Sequence, residues 1–494
     1  MQRVLIANRG EIALRILRTL RVMGLDPIAV FSEADRTAPH VRLADTAVSL
    51  GDSEVGASYL SVESLLRAAH RSKADAIIPG YGFLSENADF ADACTQAGLT
   101  FIGPPSSAIR SMGSKIEART VAANVGVPLV PGGPAGDVDE AYATAARIGY
   151  PLLLKASAGG GGKGMRHVAS AAELGPAFER AHSEALRAFG SSRVYLERFI
   201  SPGRHIEVQV LGDQHGHITT LGERECSVQR RHQKVIEESP APNLSDDTRQ
   251  ALLAAATALA RGVDYHSVGT VEFLVDEFEN FYFLEMNTRL QVEHTVTELV
   301  TGVDLVEAMI RVATGETLAS VGLPSPRGCA IQARLYAENP AMDYQPSVGR
   351  ITCFRPPQGP GLRLDHWVES GSEVTRFYDP LLGKLCAHGN TREVARKRLR
   401  SGLEELVITG IGTNLEQLKA VLDCSSFKAG AYHTGLLDDL RGEGAANSQV
   451  GPSSLTELVA VAATLFANGQ QKPKAEATSV ESEWVRQHRL RSLR

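Results

Sequence analysis

The sequence has few of the features that mark secreted, zinc-binding or membrane-spanning proteins. Its 494 residues include six cysteines with no CxxC spacing among them, which suits a reducing compartment and offers no zinc site. No run approaches the roughly 18 apolar residues that would span a bilayer. The apolar start is interrupted at Asn8 and Arg9, too early for a signal peptide. We therefore expect a cytoplasmic protein without a membrane partner.

An excess of positive charge is also absent. The net charge is −6 at pH 7, which argues against nucleic-acid binding because that favours a basic face. Hydrophobic residues make up 43% and charged residues 22%, which is ordinary for a globular protein with a sizeable core. Because 494 residues exceed what one core usually organises, we expect about three domains.

Short apolar runs alternate with amphipathic stretches over residues 3–113. The apolar runs are 4–7, 27–31, 75–79 and 100–103, and the amphipathic stretches include 10–23 and 61–71. This alternation predicts an α/β domain built on a doubly wound parallel sheet. The first strand–helix turn, ANRGE, has one glycine instead of GxGxxG, so it gives little support to nicotinamide binding.

Residues 114–327 change character and favour an α+β unit. A helix at 114–125 and a Pro/Gly-rich hinge at 127–137 precede predicted strands at 151–156, 206–213, 270–275 and 281–287. Residues 328–440 are predicted to be mainly β, with strands at 328–337 and 364–371 and one helix at 391–406. By composition 441–453 is a linker, and the helical, basic tail follows it to residue 494.

A glycine-rich loop, KASAGGGGKGM (155–165), follows an apolar strand. Glycines let backbone N–H groups approach phosphate oxygens, and Lys155 and Lys163 offer positive charge. The loop is not a P-loop, because Gly164 stands where Ser or Thr belongs. A flexible hairpin tip is the alternative interpretation.

Two carboxylates lie in neighbouring apolar strands. Glu272 and Glu285 flank the connection 276–280, which suits an antiparallel hairpin that sets them nearly opposite each other. Asn287 is two residues beyond Glu285 and so faces the same side. Converging oxygen ligands in apolar surroundings favour Mg²⁺ with nucleotide phosphates. The alternative is a hairpin whose acidic side faces solvent.

Two polar stretches add candidate anion-binding groups. If TRLQVEH (288–294) is extended, Arg289, Gln291 and Glu293 share one face, and this set could hold a planar anion and remove its proton. The basic run at 223–234 is most often a solvated face, with phosphate or carboxylate recognition as the alternative and nucleic acid a distant third. His205, taken alone, is more often a surface histidine than a ligand.

Several motifs together resemble the biotin carboxylases, the ATP-grasp components of acetyl-CoA, acyl-CoA and related biotin-dependent carboxylases. They are ANRGEIALRIL (7–17), PGYGFLSEN (79–87), KASAGGGGKGM (155–165), RHIEVQVLGD (204–213), ECSVQRRHQKVIEESPAP (225–242), EMNTRLQVEH (285–294) and ITGIGTNL (408–415). The resemblance implies a Rossmann-like domain (1–113), an ATP-grasp domain (114–327) with a mobile lid at about 131–200, a biotin carboxylase C-terminal domain (328–440) and a tail (441–494).

The resemblance also implies roles for matching residues. ATP would contact Lys115, Lys155, Gly161, Gly162, Glu197, His205, Gln229, His232, Glu272 and Glu285. Glu272, Glu285 and Asn287 would hold Mg²⁺ or Mn²⁺. Bicarbonate would contact Lys234, Arg289, Gln291, Val292 and Glu293. Glu293 would be its general base, Lys234 would hold carboxyphosphate, and Arg334 would stabilise biotin during deprotonation.

The partners implied are a biotin carboxyl carrier protein, a carboxyltransferase subunit and a second copy of the chain. The Met-Lys-Met motif that carries biotin in this family does not occur in the sequence, so we expect biotin to be a carrier-bound substrate not attached to this chain. An apolar stripe at 453–468 is predicted to contact another subunit.

The sequence departs from the family pattern at Ile78, Ala158 and Thr295. Residues 334–349 and 364–374 are closer to urea carboxylases, and 293–298 resembles pyruvate carboxylases, so the carboxyl acceptor stays open between these and acetyl-CoA or propionyl-CoA. Two further alternatives are another ATP-grasp ligase and a non-catalytic nucleotide-binding scaffold.

Overall fold

The N-terminal residues form an open parallel sheet with an apolar core on each face. The structure is a computed structural model that describes residues 1–156, 166–189, 194–322 and 325–447. The elements of this part are β1 (Arg3–Ile6), α1 (Gly10–Val22), β2 (Asp26–Ser32), α2 (Pro39–Leu43), β3 (Thr46–Gly51), α3 (Val62–Ser72), β4 (Ala76–Ile78), α4 (Ala88–Gln96), β5 (Thr100–Phe101) and α5 (Ser106–Gly113). The strand order β3-β2-β1-β4-β5 confirms the predicted doubly wound sheet. The pattern did not predict β3, because this edge strand exposes alternate residues and so lacks a continuous apolar run.

A second, smaller sheet lies within the segment predicted to be a lid. The elements here are α6 (Lys115–Asn124), β6 (Gly132–Ala135), α7 (Val138–Ile148), β7 (Leu152–Ala156), β8 (Arg166–Val168), α8 (Ala171–Phe189) and β9 (Val194–Arg198). The antiparallel strands, in the order β6-β9-β7-β8, share a core with α7 and α8. A sheet with its own core can move as a unit, but closure over a ligand stays a prediction. The glycine-rich loop falls largely outside the described residues.

The next residues build the floor of the central domain. They form β10 (Arg204–Gly212), β11 (Ile218–Arg230), β12 (Gln233–Ser239), α9 (Asp246–Arg261), β13 (Ser267–Val275), β14 (Phe281–Asn287), α10 (His294–Thr301), α11 (Leu305–Ala313) and α12 (Leu318–Val321). Strands β13 and β14 form the predicted antiparallel hairpin.

The C-terminal part is mainly β, as predicted. Its elements are β15 (Cys329–Tyr336), β16 (Glu338–Asn339), β17 (Gln345–Pro346), β18 (Gly349–Arg350), β19 (Cys353–Arg355), β20 (Leu362–His366), β21 (Glu373–Val374), β22 (Leu381–Gly389), α13 (Arg392–Glu405), β23 (Val407–Thr409), α14 (Leu415–Asp423), α15 (Ser425–Ala429) and α16 (Leu436–Asn447). The predicted linker is wrong over 441–447, which ends α16, since Arg441, Glu443 and two alanines favour helix. The predicted stripe at 453–468 lies outside the described residues.

One antiparallel sheet runs through the central and C-terminal parts. Its order is β14-β13-β10-β11-β12-β15-β22-β20, and β12 pairs directly with β15. The predicted domain boundary near residue 327 therefore does not coincide with a sheet edge. Side chains from β10 to β15 consequently meet on one continuous surface. Within the part of the chain that the structure describes, none of the helices combines the length and apolar character needed to cross a bilayer.

Candidate active site

A cleft of about 1220 Å³ collects most of the residues that the sequence singled out. Those lining it are Lys115, Lys155, Glu197, His205, Gln229, His232, Lys234, Glu272, Glu285, Asn287, Arg289, Gln291, Val292 and Arg334. Glu293 is fully buried beside the cleft, where it contacts Lys234 and Arg334. Gly161 and Gly162 lie outside the described residues.

The two hairpin carboxylates stand opposite each other, as predicted. Glu272 on β13 and Glu285 on β14 are partners in register. The negative charge of Glu272 raises the pKa of Glu285, whose side chain is exposed at the cleft, above its ordinary value. Two carboxylates that repel each other in a cleft fit a divalent cation, which relieves the repulsion.

Asn287 is adjacent to this pair, but its amide oxygen points elsewhere. Its Nδ2 donates to Glu272 Oε1 at 2.8 Å, and its Oδ1 accepts from Arg289 Nη2 at 2.9 Å. For Asn287 to bind a metal through Oδ1, its side-chain amide would have to flip so that Oδ1 and Nδ2 exchange places. Its predicted metal role stays a prediction, and Glu272 and Glu285 are the better-placed ligands.

Lys234 is the electrostatic centre of the site. Its Nζ donates to Glu207 Oε2 at 2.6 Å, to Glu272 Oε1 at 2.7 Å and to Glu293 Oε1 at 2.7 Å. Burial lowers the pKa of this ammonium, but the three carboxylates outweigh burial and raise the pKa well above its ordinary value. Lys234 thus stays charged and joins Glu272, a predicted metal ligand, to the buried Glu293.

Glu293 is held as a carboxylate between two cations. Arg334 Nη2 donates to Glu293 Oε2 at 2.9 Å, opposite the contact from Lys234. Burial raises the pKa of Glu293, yet Lys234, Arg334 and Arg224 lower it well below the ordinary value. The carboxylate is therefore ionised and can take a proton once a ligand engages its cations.

Further predicted nucleotide-binding residues contact each other at the cleft wall. Lys155 on β7 donates to Glu197 on β9, and Arg119 Nη1 reaches Glu197 Oε1 at 3.1 Å. Lys115, at the first turn of α6, has its pKa lowered to about 8 by burial and by the charge of Lys155. Phosphate oxygens are the natural acceptors for this group of cations.

The histidines of the cleft differ in environment. His205 is buried, contrary to its interpretation as a surface residue, and its Nε2 lies 2.9 Å from Glu272 Oε2. Burial lowers the pKa of His205, but Glu272 outweighs burial, so the net shift is upward. His232 occupies the β11–β12 turn with a positive φ, and burial, His205 and Lys155 lower its pKa. The carboxylate of Glu272 thus favours the protonated form of His205, whereas the surroundings of His232 favour its neutral form.

The basic run at 223–234 is not the uniform solvated face that is usual for such a run. Arg224 and Lys234 are buried, and Arg224 donates to Glu207, to Gln209 and to two threonines. Arg231 is the exposed member, paired with Asp343 at 3.1 Å. Arg224 lies within β11 and Lys234 within β12, whereas Arg231 lies in the turn that joins the two strands.

The segment 288–293 is not extended, so the predicted common face is wrong in detail. It turns and leads into α10, with Glu293 at the N-cap position. Arg289 Nη1 still donates to Gln291 Oε1 at 2.9 Å, and Gln291 Nε2 donates to Glu272 Oε1 at 3.2 Å. The turn brings the three predicted side chains near Glu272 and Lys234 by a different backbone path.

Sequence reasoning missed several buried polar residues of the site. Glu207 contacts Lys234 and Arg224, Glu237 contacts Arg334, and Glu86 Oε2 accepts from Arg289 Nε at 2.9 Å. A usable signal existed for Glu207, because it alternates with His205 in an otherwise apolar strand. The partners of Glu86 and Glu237 are far away in sequence, and no local pattern indicates them.

Comparison with known proteins agrees with this geometry. Three family models match: "Biotin carboxylase, N-terminal domain" over residues 1–109, "Carbamoyl-phosphate synthase L chain, ATP binding domain" over 114–321, and "Biotin carboxylase C-terminal domain" over 332–439. The fold and the matched ATP-binding domain define an ATP-dependent ligase with an ATP-grasp core. Within that class, the chain belongs to the biotin carboxylase family, as the motifs predicted.

Among curated relatives, biotin carboxylase 2 of Bacillus subtilis is 49% identical over 438 residues, covering 88% of this chain and 98% of that protein. The propionyl-CoA carboxylase alpha chain of Ruegeria pomeroyi is 46% identical and covers 94% of this chain. This chain spans 71% of that alpha chain and 65% of the pig mitochondrial one.

Solved structures show the same fold. The biotin carboxylase–β,γ-ATP complex from Campylobacter jejuni has a TM-score of 0.84 at 43% identity, covering 89% of this chain and 98% of that one. The biotin carboxylase domain dimer of 2-oxoglutarate carboxylase from Hydrogenobacter thermophilus, solved with MgADP, ADP and bicarbonate, has a TM-score of 0.82 at 42% identity, covering 89% and 97%.

Proposed function

We propose that this chain carboxylates biotin at the expense of ATP and bicarbonate, as the first half-reaction of an acyl-CoA carboxylase of the acetyl-CoA or propionyl-CoA type. The observation that carries the proposal is the placement of Lys234, whose ammonium binds Glu272 and Glu293 at once. It links a site suited to a metal–nucleotide complex with a buried base. A non-catalytic scaffold has no need of such a base.

Nucleotide binding falls to the cations of the cleft. Lys115 and Lys155 face the space next to Glu197, and phosphate oxygens can replace the carboxylate as partner of Lys155. Glu272 and Glu285 would hold Mg²⁺ or Mn²⁺. The bound ion would neutralise phosphate charge as the γ-phosphoryl group is transferred.

Bicarbonate activation falls to the group around Lys234. Arg289 and Gln291 are hydrogen-bonded to each other at the cleft wall and offer donors to a planar anion. Glu293 takes the bicarbonate proton, and the resulting oxygen attacks the γ-phosphorus to give carboxyphosphate and ADP. Lys234 stays charged throughout and holds the carboxyphosphate.

Biotin carboxylation is assigned to Arg334. Its guanidinium lines the cleft and contacts Glu293, so the cation lies beside the base. The phosphate released when carboxyphosphate breaks takes the N1′ proton of biotin, negative charge develops on the ureido oxygen, and Arg334 stabilises it. The carboxyl group released from carboxyphosphate then forms its bond to N1′, and hydrogen phosphate leaves.

The experiment measures ATP hydrolysis by the purified chain with and without bicarbonate, then with free biotin and labelled bicarbonate. We expect hydrolysis to require bicarbonate and label to enter biotin. A rate of ATP hydrolysis that does not depend on bicarbonate would contradict the proposal and favour another ATP-grasp ligase. Nucleotide binding without any hydrolysis would favour the scaffold.

We further propose a biotin carboxyl carrier and a carboxyltransferase subunit as partners, and a homodimer as the active form. The alpha-chain relatives named for propionyl-CoA support an acyl-CoA acceptor over urea or pyruvate. An assay that offers carboxylated carrier to the carboxyltransferase with each acceptor in turn distinguishes these acceptors.

All six cysteines are free thiols, which suits the proposed cytoplasmic location. Incubation with a biotin ligase and labelled biotin should leave this chain unlabelled.

A further inference from the structure

A chain of buried hydrogen bonds ends on the guanidinium of Arg334. Thr295 Oγ1 donates to Gln332 Oε1 at 2.5 Å, and Gln332 Nε2 donates to Glu237 Oε2 at 3.0 Å. The other oxygen of Glu237, Oε1, accepts from Arg334 Nε at 2.5 Å. Thr295, Gln332 and Glu237 are all 0% exposed, so water does not compete for these bonds.

The fold explains why these residues meet. Glu237 on β12 pairs in register with Gln332 on β15, and Arg334 follows two residues later on the same face. Thr295 lies in the first turn of α10, which packs against these strands. Along this series of hydrogen bonds each donor points toward the next residue on the way to Glu237, so the carboxylate of Glu237 has a fixed orientation.

Two carboxylates share the one guanidinium. Glu237 binds Arg334 through Nε, and Glu293 binds it through Nη2 at 2.9 Å. Without Glu237, the forked geometry of arginine favours two parallel bonds to Glu293. The guanidinium would then turn toward the base and away from the cleft.

We propose that Glu237 is a positioning residue for the biotin step: it holds the Arg334 guanidinium toward the cleft, and Gln332 and Thr295 hold Glu237. The inference rests on the proposed function, because it concerns the residue assigned to the ureido oxygen of biotin. Glu237 itself donates nothing to a ligand and is not catalytic.

The test compares Glu237→Gln with Glu238→Gln in the full chain. Glu238 is the matched control, because it is the next residue of β12, equally buried and paired with Arg392 at 2.6 Å and 2.8 Å. The measured quantity is the carboxybiotin formed per ATP hydrolysed, together with kcat for free biotin and the KM for ATP. These readouts separate misplacement of Arg334 from a loss of folded protein.

In Glu237→Gln we expect kcat for biotin to fall about 10²-fold, the cost of a displacement near 1 Å, with an unchanged KM for ATP. Carboxybiotin per ATP should fall with it, and Glu237→Asp, which keeps the charge, should recover part of the loss. Glu238→Gln should keep the wild-type ratio.

A milder pair of variants keeps the test independent of folding. Thr295→Val removes the first donor and should lower kcat for biotin about three- to tenfold, the range of one neutral hydrogen bond. Thr301→Val is its control on α10, because the Thr301 hydroxyl donates to Thr297 O in its own helix. The positioning role would be overturned if the carboxybiotin formed per ATP hydrolysed were unchanged in both Glu237→Gln and Thr295→Val. Equal losses of this ratio in the controls Glu238→Gln and Thr301→Val would also overturn it. Wild-type chain without bicarbonate-dependent turnover would instead overturn the proposed function, and this inference with it.

Discussion

Lys234 and Glu293 form an ion pair in which Nζ lies 2.7 Å from Oε1, although 59 residues separate them in the sequence. The same ammonium binds Glu207 and Glu272, so Lys234 shares its charge among three carboxylates. A bicarbonate or carboxyphosphate that draws Lys234 away from Glu293 would raise the pKa of Glu293. The proposed base Glu293 would thus become stronger when substrate arrives.

The first prediction follows for Glu293→Gln. General-base contributions are about 10²–10⁴-fold, so bicarbonate-dependent ATP hydrolysis should fall by that factor. Nucleotide affinity should change little, because Lys234 keeps Glu207 and Glu272 as partners. Steady-state kinetics and calorimetric nucleotide binding measure the two effects. The control is Glu307→Gln on α11, outside the cleft. An unchanged rate of bicarbonate-dependent ATP hydrolysis in Glu293→Gln would show that Glu293 is not the general base.

The second prediction concerns the metal pair. Glu285→Gln should weaken the binding of Mg²⁺ in the presence of nucleotide by at least about tenfold, because one of two facing carboxylates is lost. Metal-free nucleotide binding should be nearly unchanged. Titration of Mg²⁺ or Mn²⁺ at fixed ATP checks this. Glu277→Gln in the exposed turn of the same hairpin is the control, and equal metal affinities in both variants would count against the pair.

The hairpin shows what the sequence pattern could predict. Two neighbouring apolar runs with a short connection were enough to place Glu272 opposite Glu285. The bonds of Glu237 to Arg334 and of Lys234 to Glu293 join elements that are distant in sequence, and only the assembled sheet brings them together. The common face expected if 288–294 were extended did not form, because residue spacing alone carries no information on where the backbone turns.

The third prediction concerns pH. Burial and Lys155 lower the pKa of Lys115 to about 8, so this amine loses its charge as pH rises through 8 in the nucleotide-free protein. Bound phosphate favours the charged form and raises that pKa, so nucleotide affinity should fall above pH 8 and binding should take up protons there. Calorimetry at pH 8.5 in two buffers of different ionisation enthalpy measures the uptake. The proton uptake should vanish in Lys115→Met and persist in the control variant Lys397→Met. Proton uptake that survives in Lys115→Met would show that another group takes up the proton.

The last prediction contrasts two arginines of one basic stretch. Arg224 is fully buried, where Glu207, Gln209, Thr270 and Thr297 accept its hydrogen bonds, whereas Arg231 is exposed and paired only on the surface in the described part of the chain. Removing one partner of a buried ion pair costs about 3–5 kcal/mol, and removing an exposed pair costs about 0–1 kcal/mol.

Arg224→Met should therefore lower the thermal unfolding midpoint by several degrees, while Arg231→Met should leave it nearly unchanged. The loss of Arg224 also leaves Glu207 with Lys234 as its remaining cationic contact, which draws Lys234 away from the position in which it would hold carboxyphosphate. Bicarbonate-dependent turnover of the folded fraction should fall as well, and activity measured below the unfolding transition separates this effect from stability. Equal unfolding midpoints for the two variants would show that the buried hydrogen bonds of Arg224 do not stabilise the fold.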